Sequence, residues 1–223
     1  FPMIFPTQTL PPPPAVTPPT TTEAPAEVPI VENKVRVHQS LLQSSSNAVE
    51  VNLASADLTS LTSALNQEAQ KSNPSGSLAE VSLNDANGPL DASKFLSAVF
   101  PELSVDNIKS LFDEDFTAGL FYDQDEVWAA YILKLAPNAN PADGQTFSTI
   151  LETSKNLPNL FLSSPGTPSA GGFKTGQVSG LSSRYLAYSK KGSALSFTWM
   201  NDRLLISTNY AAAQKIAANL ISQ

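Results

Sequence analysis

Cysteine is absent from this sequence, and histidine occurs once, as His38. Without thiols there is no disulfide, no thiolate metal site and no cysteine nucleophile. A single imidazole is also too little for a zinc site built from the usual nitrogen and sulfur ligands. Positive charge is scarce, with 13 Lys and Arg against 20 Asp and Glu, a net charge of −7. Lys190-Lys191 is the one adjacent basic pair, and it reads as a turn. That balance argues against nucleic acid, and against an anionic membrane surface, as a partner. No apolar run reaches the roughly 18 residues that span a bilayer as a helix, and no basic-then-apolar signal peptide is present. Charged residues of both signs make up only 15%, where about a quarter is usual. Ser, Thr, Asn and Gln fill the gap, giving a surface compatible with an exported protein.

Catalytic signatures are equally sparse. A histidine-dependent triad needs a nucleophile and an orienting acid around the imidazole, and no G-x-S-x-G elbow occurs; Gly176-Gln177-Val178-Ser179-Gly180 has the wrong spacing. His38 is therefore expected to be an ordinary surface or strand residue. Lys174-Thr175-Gly176 matches one element of the serine β-lactamase pattern, but its companions S-x-x-K and S-D-N are missing. Acidic residues cluster at Asp113-Glu114-Asp115 and at Asp123, Asp125 and Glu126. Counted as calcium loops, these place Ala118 or Trp128 where the sharp turn requires Gly. Walker and dinucleotide fingerprints are missing. The residues thus assign no catalytic, cofactor-binding or metal-binding position, and no cofactor.

What is abundant is proline. Ten of the 18 prolines fall in the first 32 residues, FPMIFPTQTLPPPPAVTPPTTTEAPAEVPIVE. Proline fixes φ and removes an amide donor, so helix and central strand are both unavailable there. An extended polyproline conformation reaches about 3 Å per residue, which makes residues 1–32 a linker or stalk ahead of a globular domain at 33–223. The first six residues, Phe1 to Pro6, are apolar instead, and residue 1 is not Met. The expected reading is a membrane-spanning helix upstream of Phe1, with residues 1–6 at the membrane interface. A processed pro-segment is the bland alternative. An SH3-type ligand would want a flanking Arg that is not there.

Beyond the stalk, periodicity predicts an α+β domain. NKVRVHQ at 33–39 alternates as a short strand, and a second strand falls at 48–54. Leu58, Leu61, Leu65 and Ala69 share a helix face behind an Asp57 or Ser55 cap. After a strand at 78–83, Asp91 caps a helix bearing Phe95, Leu96, Val99 and Phe100. Ser104 caps the next, with Val105, Ile108, Leu111 and Phe112 inward. A hairpin at 116–135 turns through Asp123-Gln124-Asp125-Glu126. Its second strand is apolar on both faces, so it belongs in the middle of a sheet covered on both sides. Asn140 caps a helix with Phe147, Ile150 and Leu151 inward, and 163–172 is a loop. A strand at 173–180 and a meander at 184–208 follow, then a helix capped by Asn209 with Ala213, Ile216, Ala217, Leu220 and Ile221 inward. Hairpin then helix recurs at 116–156 and 184–221, which predicts antiparallel sheets packed against helices in two related halves.

The ending DRLLISTNYAAAQKIAANLI is similar to that of DUF3352-like extracytoplasmic proteins, in which a closing strand leads into a final helix. The stretch FPELSVDNIKSLFDEDFTAGLFYDQDEVWAAYILKL resembles uncharacterised membrane-anchored proteins of candidate-phylum bacteria. The resemblance covers about residues 95–221. It implies a transmembrane anchor, a Pro/Thr linker and an α+β domain, and no activity. The expectation is a non-enzymatic extracytoplasmic domain, structural or protein-binding, whose partner is another envelope or surface protein and whose link to the membrane is an N-terminal anchor. Two alternatives stand beside it. A glycan or peptidoglycan hydrolase would draw on Asp113, Asp115, Asp123 and Asp125, and needs two of them about 5–10 Å apart in a cleft. A carrier of a small apolar ligand would need an enclosed cavity lined by aromatics such as Trp128, Tyr131, Tyr185, Tyr188, Phe197 and Trp199. The same aromatics could line a sugar or peptide groove, but their strand spacing favours core packing; Tyr185 and Tyr188 fall on opposite faces of one strand.

Overall fold

The computed structural model describes residues 36–42, 48–124 and 126–221. The stalk at 1–32, with its apolar Phe1–Pro6, and the turn residue Asp125 lie outside the described residues. Strand β1 (Val49–Asn52), helix α1 (Leu58–Ala69) and strand β2 (Leu78–Asp85) form a crossover, with β1 and β2 parallel and Val49 beside Val81. Parallel strands cannot be joined by a tight turn, so a helix intervenes. Asp57 caps α1 by accepting the Ser60 amide hydrogen. A two-residue strand β3 (Gly88–Pro89) folds back on the end of β2. Helices α2 (Ala92–Val99) and α3 (Val105–Leu111) follow.

The long hairpin is β4 (Phe112–Tyr122) and β5 (Val127–Leu135), then α4 (Pro141–Thr153) behind its Asn140 cap and a single 3-10 turn at Leu157–Leu160. The remainder is β6 (Lys174–Val178), β7 (Leu181–Ala187), β8 (Ala194–Met200), β9 (Arg203–Ser207) and α5 (Tyr210–Ile221). Ser179 and Gly180 join β6 to β7, both at positive φ, which is the two-residue turn whose twist matches a hairpin.

The nine strands of the described residues form one sheet in the order β1-β2-β4-β5-β9-β8-β7-β6, with β3 on the flank of β2, antiparallel except for β1 with β2. The class is α+β, and the two hairpin–helix units are joined edge to edge between β5 and β9, Ala130 opposite Ser207. Their helices cover opposite faces. Alternation along β5 shows this directly. Tyr131 and Leu133 meet α1 to α4 in a core with Leu61, Phe95, Leu96, Phe147 and Leu151, while Ala130 and Ile132 meet Ala213, Ile216 and Ala217 of α5. As its composition required, β5 is central and buried on both sides.

Three expectations are corrected. Residues 36–42 carry no strand pairing; they run as an extended strap on the α5 face, where Leu42 joins the α5 core. Side chains hold the strap in place of a ladder: Leu41 N–H donates to Thr117 Oγ1, and Gln39 N–H to Asp115. Val105 and Ile150, expected inward, are exposed at 42% and 36%; Ile150 lines a groove between α3 and α4, and Val105 stands in the first turn of α3. Phe112 belongs to β4 rather than to a helix.

Candidate functional site

The densest cluster of ionisable groups forms where the strap crosses β2 and β4. Along β2, Val81 and Leu83 face the helix-covered core, so Glu80 faces the strap. Along β4, Phe116 and Ala118 face that core and Thr117 faces the strap. Asp115 stands just before, in a bulge. Phe112 pairs with Leu135 and Phe116 with Leu133, so β4 has two more residues than its partner across that interval. The excess falls on Asp113-Glu114-Asp115. A bulge bends the strand and re-aims its side chains, and here it presents Asp115 to the strap.

His38 lies between the two acids. Its Nδ1 is 2.9 Å from Asp115 Oδ1, and its Nε2 is 3.0 Å from Glu80 Oε1. The His38 side chain is nearly buried and that of Glu80 fully so. Burial alone would lower the imidazole's pKa, but hydrogen bonds and charge from Asp115 and then Glu80 outweigh it and raise the value to about 9. At neutral pH the ring is an imidazolium donating at both nitrogens. Ser40 Oγ completes the shell, 2.7 Å from Glu80 Oε2 and accepting from Leu42 N–H. Outside it, Arg36 pairs with Glu114 at 3.1 Å and with Asp91 at 3.7 Å, and also donates to the Pro89 carbonyl. The expectation that His38 is an ordinary surface or strand residue is thus corrected. Its partners sit 42 and 77 positions away, and no local pattern announces them.

This arrangement is suited to fastening, not to proton transfer. A triad holds its histidine between one acid and a nucleophile, whereas His38 has an acid on each side and no lone pair to act as base. The imidazolium also stands where a cation would bridge the two carboxylates. Among the described residues no group of three or more His, Asp or Glu has the geometry to hold a metal ion.

Of the acids considered for hydrolysis, the described ones fall in two groups at opposite ends of β4. Asp113 and Asp115 lie at the start of β4, and Asp123 lies just past its end. An extended chain rises about 3.3 Å per residue, which separates the two groups by about 25–30 Å. Asp115 is engaged by His38 and by the amides of Gln39 and Phe116. Asp113 and Asp123 each accept the amide of the residue that follows. Glu126 binds Lys190, whose ammonium also lies 2.7 Å from Ser163 Oγ and 5.7 Å from the centre of the Trp128 ring. A serine beside a lysine is a known nucleophile–base pairing, but an ammonium held by a carboxylate offers no lone pair.

Most of the aromatics are structural. Tyr131 is buried with its hydroxyl on the Leu160 carbonyl, and burial pushes its pKa up. Trp199 donates to Ser148 Oγ at 2.8 Å, Phe197 is core, and Tyr188 packs edge-on against Phe161. The groove between α3 and α4, about 300 Å³, has Phe147 as its single aromatic lining residue, and exposed Asn107 and Thr146 leave it open to solvent. Tyr185, on the opposite face of β7 from Leu186, borders a surface groove beside α5.

Comparison with protein-family models, with curated proteins and with solved structures gives no match. Among the described residues no helix is long and apolar enough to cross a membrane.

Proposed function

We propose that this chain is a non-enzymatic, extracytoplasmic domain of a membrane-anchored cell-envelope protein, and that it binds another envelope or surface protein. The observation that carries the reading is β6. It is the last strand in the sheet order, paired with β7 alone among the described strands. Lys174, Thr175 and Gln177 are exposed along it and no proline interrupts it. Apart from the Gln177 carbonyl, which accepts from Tyr210, a strand of this kind offers backbone donors and acceptors to an extended segment of a partner. The engagement of Asp115, Glu126 and His38 by neighbours within the fold supports a binding role over hydrolysis. The proline- and threonine-rich composition of residues 7–32 supports the stalk.

The test is capture from an envelope extract by the full chain, with Lys174→Pro and Thr175→Pro as separate variants. Successive amides of an edge strand point alternately inward and outward, so one of the two substitutions removes an outward donor and leaves the β7 pairing intact. Loss of a captured protein in that folded variant is the expected result. Capture unchanged in both, or turnover of a glycan by the purified chain, rejects the reading.

A further inference from the structure

The α5 face of the sheet is covered unevenly. The strap and α5 seal its middle, but over β6, β7 and β8 the face is open as a groove of about 340 Å³. Gly176, Ser183, Ala194 and Ser196 form its floor, and Tyr185 and Tyr210 stand beside it. Ser183 and Ser196 are only 4% and 3% exposed. Yet the side-chain hydroxyl of neither makes a hydrogen bond to any described residue. Neither oxygen is sealed from solvent; both open onto the groove, so a molecule seated there takes over hydrogen bonds that water otherwise makes.

The walls are fixed in advance. A Cβ on Gly176 would stand 3.0 Å from Cδ1 and Cε1 of Tyr185, so the ring is seated directly against the bare Cα of β6. Tyr210 is pinned through its hydroxyl, which donates to the Gln177 carbonyl at 3.2 Å and accepts from Gln214 Nε2 at 3.1 Å. No charged side chain lines the groove. An ionic ligand would therefore meet no counter-charge. A wholly apolar ligand would leave both serine hydroxyls unpaired. The lining instead matches a molecule with C–H faces to lay on aromatic rings and neutral hydroxyls that both donate and accept.

We infer that this groove binds a neutral sugar ring, stacked by Tyr185 and Tyr210 and hydrogen-bonded by Ser183 and Ser196. The site lies on the face of the sheet beside α5 and does not depend on strand addition at β6. The strand spacing that favours core packing holds for Phe197 and Trp199; Tyr185 is the aromatic that alternation turns outward, and Tyr210 joins it from the first turn of α5.

The test is an amide chemical-shift titration of the full 223-residue chain with three neutral oligosaccharides: maltotriose, cellotriose and the N-acetylglucosamine trimer. At least one is expected to give saturable shifts confined to β6–β8 and the first turn of α5. Tyr210→Ala, at a half-exposed position, is expected to keep the fold and weaken affinity by about tenfold, the loss of one ring stack. Ser183→Ala and Ser196→Ala should each weaken it by roughly threefold to tenfold, the worth of one neutral hydrogen bond. No saturable shift with any of the three sugars overturns the inference, as does saturable binding that maps elsewhere or is indifferent to all three substitutions. Groove shifts caused by extended peptides and not by the sugars would overturn it too, and would assign the surface to a protein partner.

Discussion

His38 Nε2 lies 3.0 Å from Glu80 Oε1, and the Glu80 side chain is completely buried. A carboxylate without solvent needs a charged partner or its proton back. His38 supplies the charge from a strap that has no strand pairing of its own, so one contact both neutralises the sheet and holds the strap.

That contact makes stability depend on pH. The folded pKa of His38, about 9, exceeds its ordinary value of 6.5. Its contribution is therefore complete below about pH 6.5 and is lost as pH rises through about 9. The full shift corresponds to an upper bound of about 3.5 kcal/mol, which solvent screening reduces. Urea midpoints measured from pH 6 to pH 10 should fall over that window, and they should fall distinctly less in His38→Gln. Parallel curves for the two proteins would contradict the assignment.

Removing the imidazole is expected to cost more than deleting a surface residue. His38→Ala removes the imidazolium that pairs with both Glu80 and Asp115, and breaking a buried pair in this way costs about 3–5 kcal/mol. Adding Glu80→Gln removes the buried carboxylate that His38 faces and should restore part of the loss. Limited proteolysis around residues 36–42 should accelerate in the single variant and slow again in the double one.

Gly192 tests the turn between β7 and β8. It adopts φ +82°, and a Cβ there would come within 2.9 Å of Trp128 Cζ2. Gly192→Ala should destabilise by about 1–3 kcal/mol from left-handed strain and crowding. Trp128 emission should shift as the indole moves beneath Lys190. An unchanged melting temperature would place the ring elsewhere.

Ser148 holds the indole of Trp199 from α4 across to β8. Ser148→Ala leaves that N–H without its partner and should cost about 1–2 kcal/mol. Thermal unfolding monitored by tryptophan fluorescence reads the change, and Ser148→Thr, which keeps the hydroxyl, should lose less.

Much of the architecture was legible in the residues because its causes are local. Asp57, Asp91 and Asn140 cap their helices as their spacing required, and the two-sided apolar pattern of β5 placed it mid-sheet. Period-two alternation also put Leu195, Phe197 and Trp199 on one face. Failures came where the deciding partner is remote. NKVRVHQ alternates like a strand, but Asp115 takes the Gln39 amide and Thr117 that of Leu41 just beyond, so side chains stand in for a neighbouring strand. Val105 and Ile150 fit an inward helical stripe, yet both are exposed, Ile150 on the groove between α3 and α4. Of the candidate sites, neither the clasp at His38 nor the serine floor beneath Tyr185 has a sequence spacing that would reveal it. Each is assembled from segments that meet only after the sheet forms.

The position of β9 has a bearing on how the chain is made. Arg203–Ser207 is the last described strand to leave the ribosome, yet it inserts between β5 and β8, with Ile206 opposite Tyr131 on one side and Phe197 on the other. Until it emerges, the apolar border of β5 has no neighbour and the sheet exists as two separate ribbons. Its closure must follow the emergence of residues 203–207, and a nascent protein stalled before them would present that border to chaperones.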